Sequence, residues 1–135
     1  KPQNLVLGIG CRRNTSNEKI QEGLNALCDK YLLEKSQIKT IASIELKKNE
    51  SGIIELASKL SALFITYDTE ALDKAISSTD TIEASDFVKS IVGVSSVAEA
   101  SAYKLSKGKI ILPKQIINGV TFSLGIITKY RKEEA

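Results

Sequence analysis

Two patterns of apolar residues alternate along the chain: short continuous runs, and apolar residues at helical spacing. Residues 5–9 form a continuous apolar run, which is typical of a strand buried on both faces of a sheet. The apolar residues that follow recur at helical spacing and predict a helix over about residues 16–33. Thr15 and Glu18 have the spacing of a capping box at its start, so we expect Thr15 to be the N-cap.

The order of strand and helix then repeats twice. Residues 38–46 and 63–67 are predicted to form the second and third strands, because the first is rich in isoleucine and the second consists mostly of apolar and aromatic residues. A polar loop over residues 47–52 leads from the second strand into a helix, for which we expect Asn49 or Ser51 to be the N-cap.

The middle of the chain is predicted to be helical with one interruption. A short helix over residues 70–76 leads into a polar loop at 77–83, and a second short helix covers 85–92. Ser96 and Glu99 form another capping box, which favours the start of a longer helix.

The last predicted elements form a hairpin. Apolar stretches at 109–112 and 120–124 flank Asn118-Gly119, which is a strong two-residue turn signal.

These elements predict an α/β fold with three layers, helix–sheet–helix. Strands that alternate with helices give a mostly parallel sheet, and the C-terminal β-hairpin makes the sheet mixed. We expect one domain over residues 1–135, with an ordered core at about 4–127 and a charged tail at 128–135.

The composition narrows the chemistry. With 26% charged and 42% apolar residues and a net charge of +3, the chain is typical of a soluble globular domain, and neither a nucleic-acid partner nor a membrane segment is expected. Histidine is absent, which excludes histidine-based catalytic triads and metal sites within this chain. The chain contains no methionine, so we expect a processed product or a domain of a longer protein.

The clearest chemistry follows the first strand, in Gly8-Ile9-Gly10-Cys11-Arg12-Arg13. Glycines let a ligand approach the backbone closely, and the helix start supplies N–H donors and partial positive charge. The guanidinium groups of Arg12 and Arg13 add planar forks suited to carboxylates or phosphates. We therefore expect an anion-binding corner here.

The sequence of this corner fits a dinucleotide site, a P-loop or a cysteine nucleophile less well. The dinucleotide fingerprint needs a third glycine where Arg13 stands, and the P-loop pattern is absent. The helix start could lower the pKa of the Cys11 thiol, but no base accompanies it, so a nucleophilic role is disfavoured.

Ligands of open α/β sheets gather at the carboxyl ends of the parallel strands. This rule places Lys47, Glu50 and residues 67–69 beside the corner. The pair Lys47-Lys48 is equally compatible with a solvated loop end, and capping favours a structural role for Glu99 over an acid–base role.

Four blocks of the sequence resemble the C-terminal domain of cobalt-precorrin 5A hydrolase (CbiG) and its single-domain relative CobE, of cobalamin biosynthesis. The blocks are Gly8-Ile9-Gly10-Cys11-Arg12-Arg13; Lys47 with Glu50 and Gly52; Gly93-Val94-Ser95-Ser96-Val97-Ala98-Glu99-Ala100; and Pro113-Lys114 with Gly119-Val120-Thr121. They follow the family's order from residue 6 to about 124. Asn14, Asn49 and Ser95 depart from the family's usual glycine, acidic residue and proline, and we expect Asn14 to accept the left-handed conformation.

The resemblance implies a cytoplasmic domain that acts on a corrin-ring intermediate fringed with carboxylates. The family's enzyme opens the ring A lactone and releases acetaldehyde, and a non-catalytic corrinoid carrier is the alternative. Cobalt would arrive in the substrate, so no cofactor and no metal ligand of the protein is expected. The expected partner is an N-terminal domain of the same protein, and an oligomer is compatible with the sequence.

The resemblance also implies a set of site residues. Glu50 would act as general base for water, and Lys47 would help to polarise the lactone. The substrate-binding residues would be Gly8, Gly10, Cys11, Arg12, Arg13, Thr15, Ser96, Glu99 and Lys114.

Overall fold

The structure, a computed structural model, describes residues 4–77 and 94–128. Its strands are β1 (Leu5–Gly10), β2 (Ile38–Ile44), β3 (Leu63–Tyr67), β4 (Ile110–Ile117) and β5 (Val120–Ile126), and its helices are α1 (Asn17–Tyr31), α2 (Ser51–Leu60), α3 (Thr69–Ser77) and α4 (Val94–Ser106). The helix expected at 85–92 lies outside the described residues. Residues 78–83 of the expected loop and residues 129–135 of the expected tail also lie outside the described residues.

The five strands form one mixed sheet in the order β3-β2-β1-β5-β4. The first three strands are parallel, as the alternation of strands and helices predicts, and β5 is antiparallel to both β1 and β4. The C-terminal hairpin is confirmed. Its turn residues Asn118 and Gly119 have φ angles of 58° and 80°, the left-handed backbone that a two-residue hairpin turn favours.

Helices cover both faces of the sheet, which confirms the three layers. On one face, α1 and α2 pack in the main core against alternate residues of β1, namely Leu5, Leu7 and Ile9. On the other face, α3 and α4 share a smaller apolar cluster with the end of β2, which comprises Ile44, Leu72, Val97 and Ala100.

The close approach of α4 to β1 depends on Gly8. A Cβ atom on Gly8 would overlap the carbonyl oxygen of Ala98 and lie 2.9 Å from the Cβ atom of Ala102. The space that a side chain would fill is therefore occupied by the helix. Helix packing therefore accounts for this glycine, and the approach of a ligand to Gly8 stays a prediction.

The N-cap of α1 differs from the prediction by one residue. Ser16 is the N-cap, and its Oγ accepts a hydrogen bond from the backbone N–H of Lys19 at 3.1 Å. The Thr15 hydroxyl instead donates to the carbonyl oxygen of Arg12 at 2.7 Å. Adjacent threonine and serine carry the same capping chemistry, so spacing alone could not choose between them.

The second predicted capping box does not form. α4 already includes Val94, so Ser96 lies inside its first turn rather than before it. The carboxylate of Glu99 instead lies next to the backbone N–H of Lys114 in β4. The prediction of Glu99 as a capping residue is therefore wrong.

Candidate functional site

Two loops meet at the carboxyl ends of the parallel strands. Residues 11–16 leave β1, and residues 45–50 leave the neighbouring strand β2, which ends earlier than predicted because Glu45–Lys47 forms a 3-10 turn. We call these two segments the paired loops. Their position is the one at which open α/β sheets bind ligands.

A hydrogen bond between backbone and carboxylate joins the paired loops. Oε1 of Glu50 accepts from the backbone N–H of Asn14 at 2.9 Å, and Oε2 of Glu50 lies 3.9 Å from Nζ of Lys47. Only 12% of the Glu50 side chain and 17% of the Lys47 side chain are exposed, so solvent screens this ion pair less than it would on an open surface. Asn14 has a φ of 64°, which confirms the left-handed conformation expected of it.

The start of α2 is pressed against the first of the paired loops. A Cβ atom on Gly52 would lie 2.5 Å from the carbonyl oxygen of Thr15. Nδ2 of Asn17 donates to the carbonyl oxygen of Gly52 at 2.9 Å. The starts of α1 and α2 are thus held together by a close backbone contact and by a side-chain-to-backbone hydrogen bond, and both fix the loop between β1 and α1.

Arg12 and Arg13 are both exposed. No carboxylate in residues 4–77 or 94–128 forms an ion pair with either guanidinium group. Two guanidinium groups therefore remain available at this edge of the sheet. Each presents a planar fork of N–H donors that matches a carboxylate or phosphate.

Cys11 is a buried residue. Only 1% of the residue is exposed, and it belongs to the core that α1 and α2 form with the sheet. Burial raises the pKa of its thiol, although Lys47 and a hydrogen bond with Thr15 act in the opposite direction. The side chain of Cys11 faces the core, and a contact between Cys11 and the substrate stays a prediction.

Glu99 and Lys114 form a second group, between α4 and β4. Oε2 of Glu99 lies 3.4 Å from the backbone N–H nitrogen of Lys114, at the limit of a hydrogen bond. Only 4% of Glu99 is exposed, and this burial raises the pKa of its carboxyl group, while its interactions with Lys114 lower it. A buried acid of this kind holds its proton to higher pH than an exposed one.

The predicted site residues thus fall into two groups. Cys11, Arg12, Arg13, Thr15, Lys47 and Glu50 belong to the paired loops, whereas Glu99 and Lys114 lie between α4 and β4. Within the described residues, no hydrogen bond or ion pair joins the paired loops to Glu99 and Lys114. Gly10 is buried at the end of β1, opposite Thr121 of β5.

Two features of this edge were missed by the sequence analysis. The hydrogen bond from Asn14 to Glu50 links residues 36 positions apart, and no local pattern signals it. An open cleft of about 600 Å³ lies between the second of the paired loops and the start of α3, lined by Ile44, Glu45, Leu46, Lys48, Asp68, Thr69 and Glu70. Three of these residues are acidic, so the charge of the cleft is opposite to that of the two arginines.

No three acidic or cysteine side chains of the described segments are grouped so that they could hold a metal ion. Among the same segments, no helix combines the length and apolar character needed to cross a membrane.

Residues 5–125 match the family model described as "Cobalamin synthesis G C-terminus". The chain is 37% identical over 125 residues to the cobalt-precorrin-5A hydrolase of Salmonella typhimurium, a match that covers 93% of this chain and 35% of that protein. It is 30% identical over 128 residues to the cobalt-precorrin-5A hydrolase of Priestia megaterium, covering 94% of this chain and 33% of that protein. The chain thus spans about a third of the length of these relatives.

A solved structure shares the fold. The crystal structure of CobE, a protein from the cobalamin (vitamin B12) biosynthetic pathway, matches with a TM-score of 0.74 and 25% identity. The match covers 92% of this chain and 93% of the CobE chain, so almost all of both chains takes part.

Proposed function

The chain belongs to the family of the cobalamin synthesis G C-terminus, and from this membership we propose that it acts in cobalamin biosynthesis as the C-terminal domain of a cobalt-precorrin 5A hydrolase. The observation that carries the proposal is the similarity to two such hydrolases along nearly the whole chain, from β1 to β5. The activity of the whole protein is part of the proposal, because about two thirds of each relative lies outside the match.

The paired loops suit the substrate of such an enzyme. A corrin-ring intermediate carries several acetate and propionate carboxylates, which are ligands that guanidinium forks bind well. Arg12 and Arg13 are exposed and without ion pairs in the described residues, and Lys47 adds a third, largely buried cation. In the proposed reaction these cations orient the carboxylates while the ring A lactone is opened and acetaldehyde leaves. Cobalt is part of the substrate in this scheme.

A corrinoid carrier is the second candidate function. It is favoured by the CobE comparison, in which almost a whole solved chain corresponds to this one domain. In that case the paired loops would hold the corrinoid, and another part of the protein would perform the hydrolysis.

One experiment separates the two functions. The purified chain is mixed with cobalt-precorrin 5A, and both the absorbance of the corrinoid and the release of acetaldehyde are followed. Acetaldehyde formed by this chain alone supports the hydrolase, whereas a change in absorbance without acetaldehyde supports the carrier. An unchanged spectrum together with no acetaldehyde contradicts both.

A further inference from the structure

Glu50 occupies an unusual position for a residue that begins a helix. It is the N-cap of α2, a place that the sequence analysis assigned to Asn49 or Ser51, yet its side chain makes no capping hydrogen bond to α2. Acceptor side chains at an N-cap usually bind the free N–H groups of the first turn. The start of α2 lacks this stabilising hydrogen bond. Such a departure from the usual capping pattern is expected where the side chain has another role.

The carboxylate of Glu50 instead contacts two residues outside α2, Asn14 and Lys47. One oxygen accepts the backbone N–H of Asn14 at 2.9 Å, and the other lies 3.9 Å from Nζ of Lys47. A hydrogen bond that involves an ionised group is about twice as strong as a neutral one. With 12% of its side chain exposed, Glu50 is held by internal contacts rather than turned toward solvent.

The partner of Glu50 is the residue that shapes the arginine loop. Asn14 has a left-handed φ of 64°, a conformation that is costly for residues other than glycine and asparagine. On the N-terminal side of Asn14, the carbonyl oxygen of Arg12 accepts the backbone N–H of Thr15 at 3.2 Å and the Thr15 hydroxyl at 2.7 Å. The hydrogen bond that Asn14 donates to Glu50 therefore fixes the middle of a tight turn that carries Arg12 and Arg13.

The start of α2, which carries the acceptor Glu50, is itself held in place by contacts with the start of α1. Gly52, two residues beyond Glu50, permits α2 to contact the carbonyl oxygen of Thr15, and the Asn17 side chain binds the Gly52 carbonyl oxygen at 2.9 Å. Glu50 is thus fixed relative to the C-terminal end of the turn that it holds.

We propose that Glu50 is a positioning residue, which holds the turn through the Asn14 N–H so that Arg12 and Arg13 face the ligand, and that it is not the general base. This inference rests on the proposed function only where it concerns the corrinoid; the control of the turn by Glu50 is independent of it. Lys47 has a supporting part, because its ammonium group lies 3.9 Å from the carboxylate oxygen of Glu50 that does not bind Asn14.

The substrate-free test measures the Asn14 amide directly. Hydrogen exchange is followed by NMR in the ¹⁵N-labelled full chain as wild type, Glu50→Gln and Glu50→Ala. The matched control is Glu45→Gln, which removes one negative charge from the same loop at an exposed position. We expect Glu50→Ala to accelerate exchange of the Asn14 N–H about tenfold or more, Glu50→Gln to have a smaller effect because it keeps an acceptor, and Glu45→Gln to leave it unchanged. Equal exchange in all four proteins overturns the proposal.

The second arm uses cobalt-precorrin 5A. A positioning residue predicts that Glu50→Gln weakens corrinoid binding or raises KM several-fold while kcat and its pH profile are kept. A general base predicts a loss of kcat of about 100-fold or more with little change in KM, and that result overturns the proposal. If no protein binds the corrinoid but the Asn14 amide responds as expected, the proposed function fails and the control of the turn by Glu50 stands.

Discussion

Replacing Gly52 with alanine tests whether the start of α2 holds the paired loops. The new Cβ atom would lie 2.5 Å from the carbonyl oxygen of Thr15, well inside the 3.4 Å at which ordinary contact begins. It would also lie 3.1 Å from Cδ1 of Ile20 and 3.2 Å from the backbone nitrogen of Asn17. Two of these three neighbours are backbone atoms, so a side-chain rotation cannot relieve the overlap and the loop or the helix has to move.

The expected cost follows from two opposing effects. Forcing an extra carbon into a packed site costs about 1–3 kcal/mol. Alanine is favoured over glycine in a helix interior by up to about 1 kcal/mol, and this gain is smaller in the first turn, where Gly52 lies. We therefore expect Gly52→Ala to lower the free energy of unfolding by about 1–2 kcal/mol.

Urea unfolding, followed by circular dichroism, measures the difference from the midpoint at constant m. Ser58→Ala is the matched control, since Ser58 is an exposed residue of the same helix and its replacement is expected to change stability by less than about 0.5 kcal/mol. A Gly52→Ala protein as stable as the wild type, or more stable, would refute the close contact between α2 and the loop.

Three further predictions concern buried polar groups. Burial raises the pKa of Glu99 in the folded protein above the value of about 4.5 in the unfolded chain. The wild type should therefore lose stability as the pH rises from 4.5 through the folded pKa, because the buried carboxyl group then ionises. Over that range, the unfolding free energy of Glu99→Gln should increase relative to that of the wild type. Ser106 has a buried Oγ without a hydrogen-bond partner among the described residues, so Ser106→Ala should raise the unfolding free energy by about 1 kcal/mol in urea titrations. Cys11 and Cys28 are 1% and 6% exposed with pKa values raised by burial, so a thiol reagent at pH 8 should label both only after urea is added; rapid labelling of the native protein would contradict their burial.

Most of the fold could be predicted from the sequence because its signals are local. The apolar run of β1 and the Asn118-Gly119 turn depend only on neighbouring residues, and the structure has both. Helix starts were harder. Ser16 replaced Thr15 as the N-cap of α1, since both offer a hydroxyl within one position of each other. Local chemistry permits either, and packing of the whole loop decides.

The site could be predicted only in part, because tertiary contacts define it. The rule for parallel strands places Lys47 and Glu50 beside the arginine loop, and in the structure Glu50 binds this loop while Lys47 lies against Glu50. No local pattern signals that α4 covers Gly8 or that the side chain of Cys11 faces the core. The sequence does not reveal which face of a strand or loop is covered by an element many residues away.

The central claim is that the exposed arginines of the paired loops bind the carboxylates of the corrinoid. The most direct test titrates cobalt-precorrin 5A by absorbance against the wild type, Arg12→Ala/Arg13→Ala and the control Lys39→Ala/Lys109→Ala. The control removes the same charge from exposed residues at the amino end of β1, where Ile38 and Ile126 pair with Leu5. We predict that the arginine variant binds at least about tenfold more weakly, that its binding depends less on salt, and that the lysine control binds like the wild type. Equal affinity for all three proteins would contradict the account.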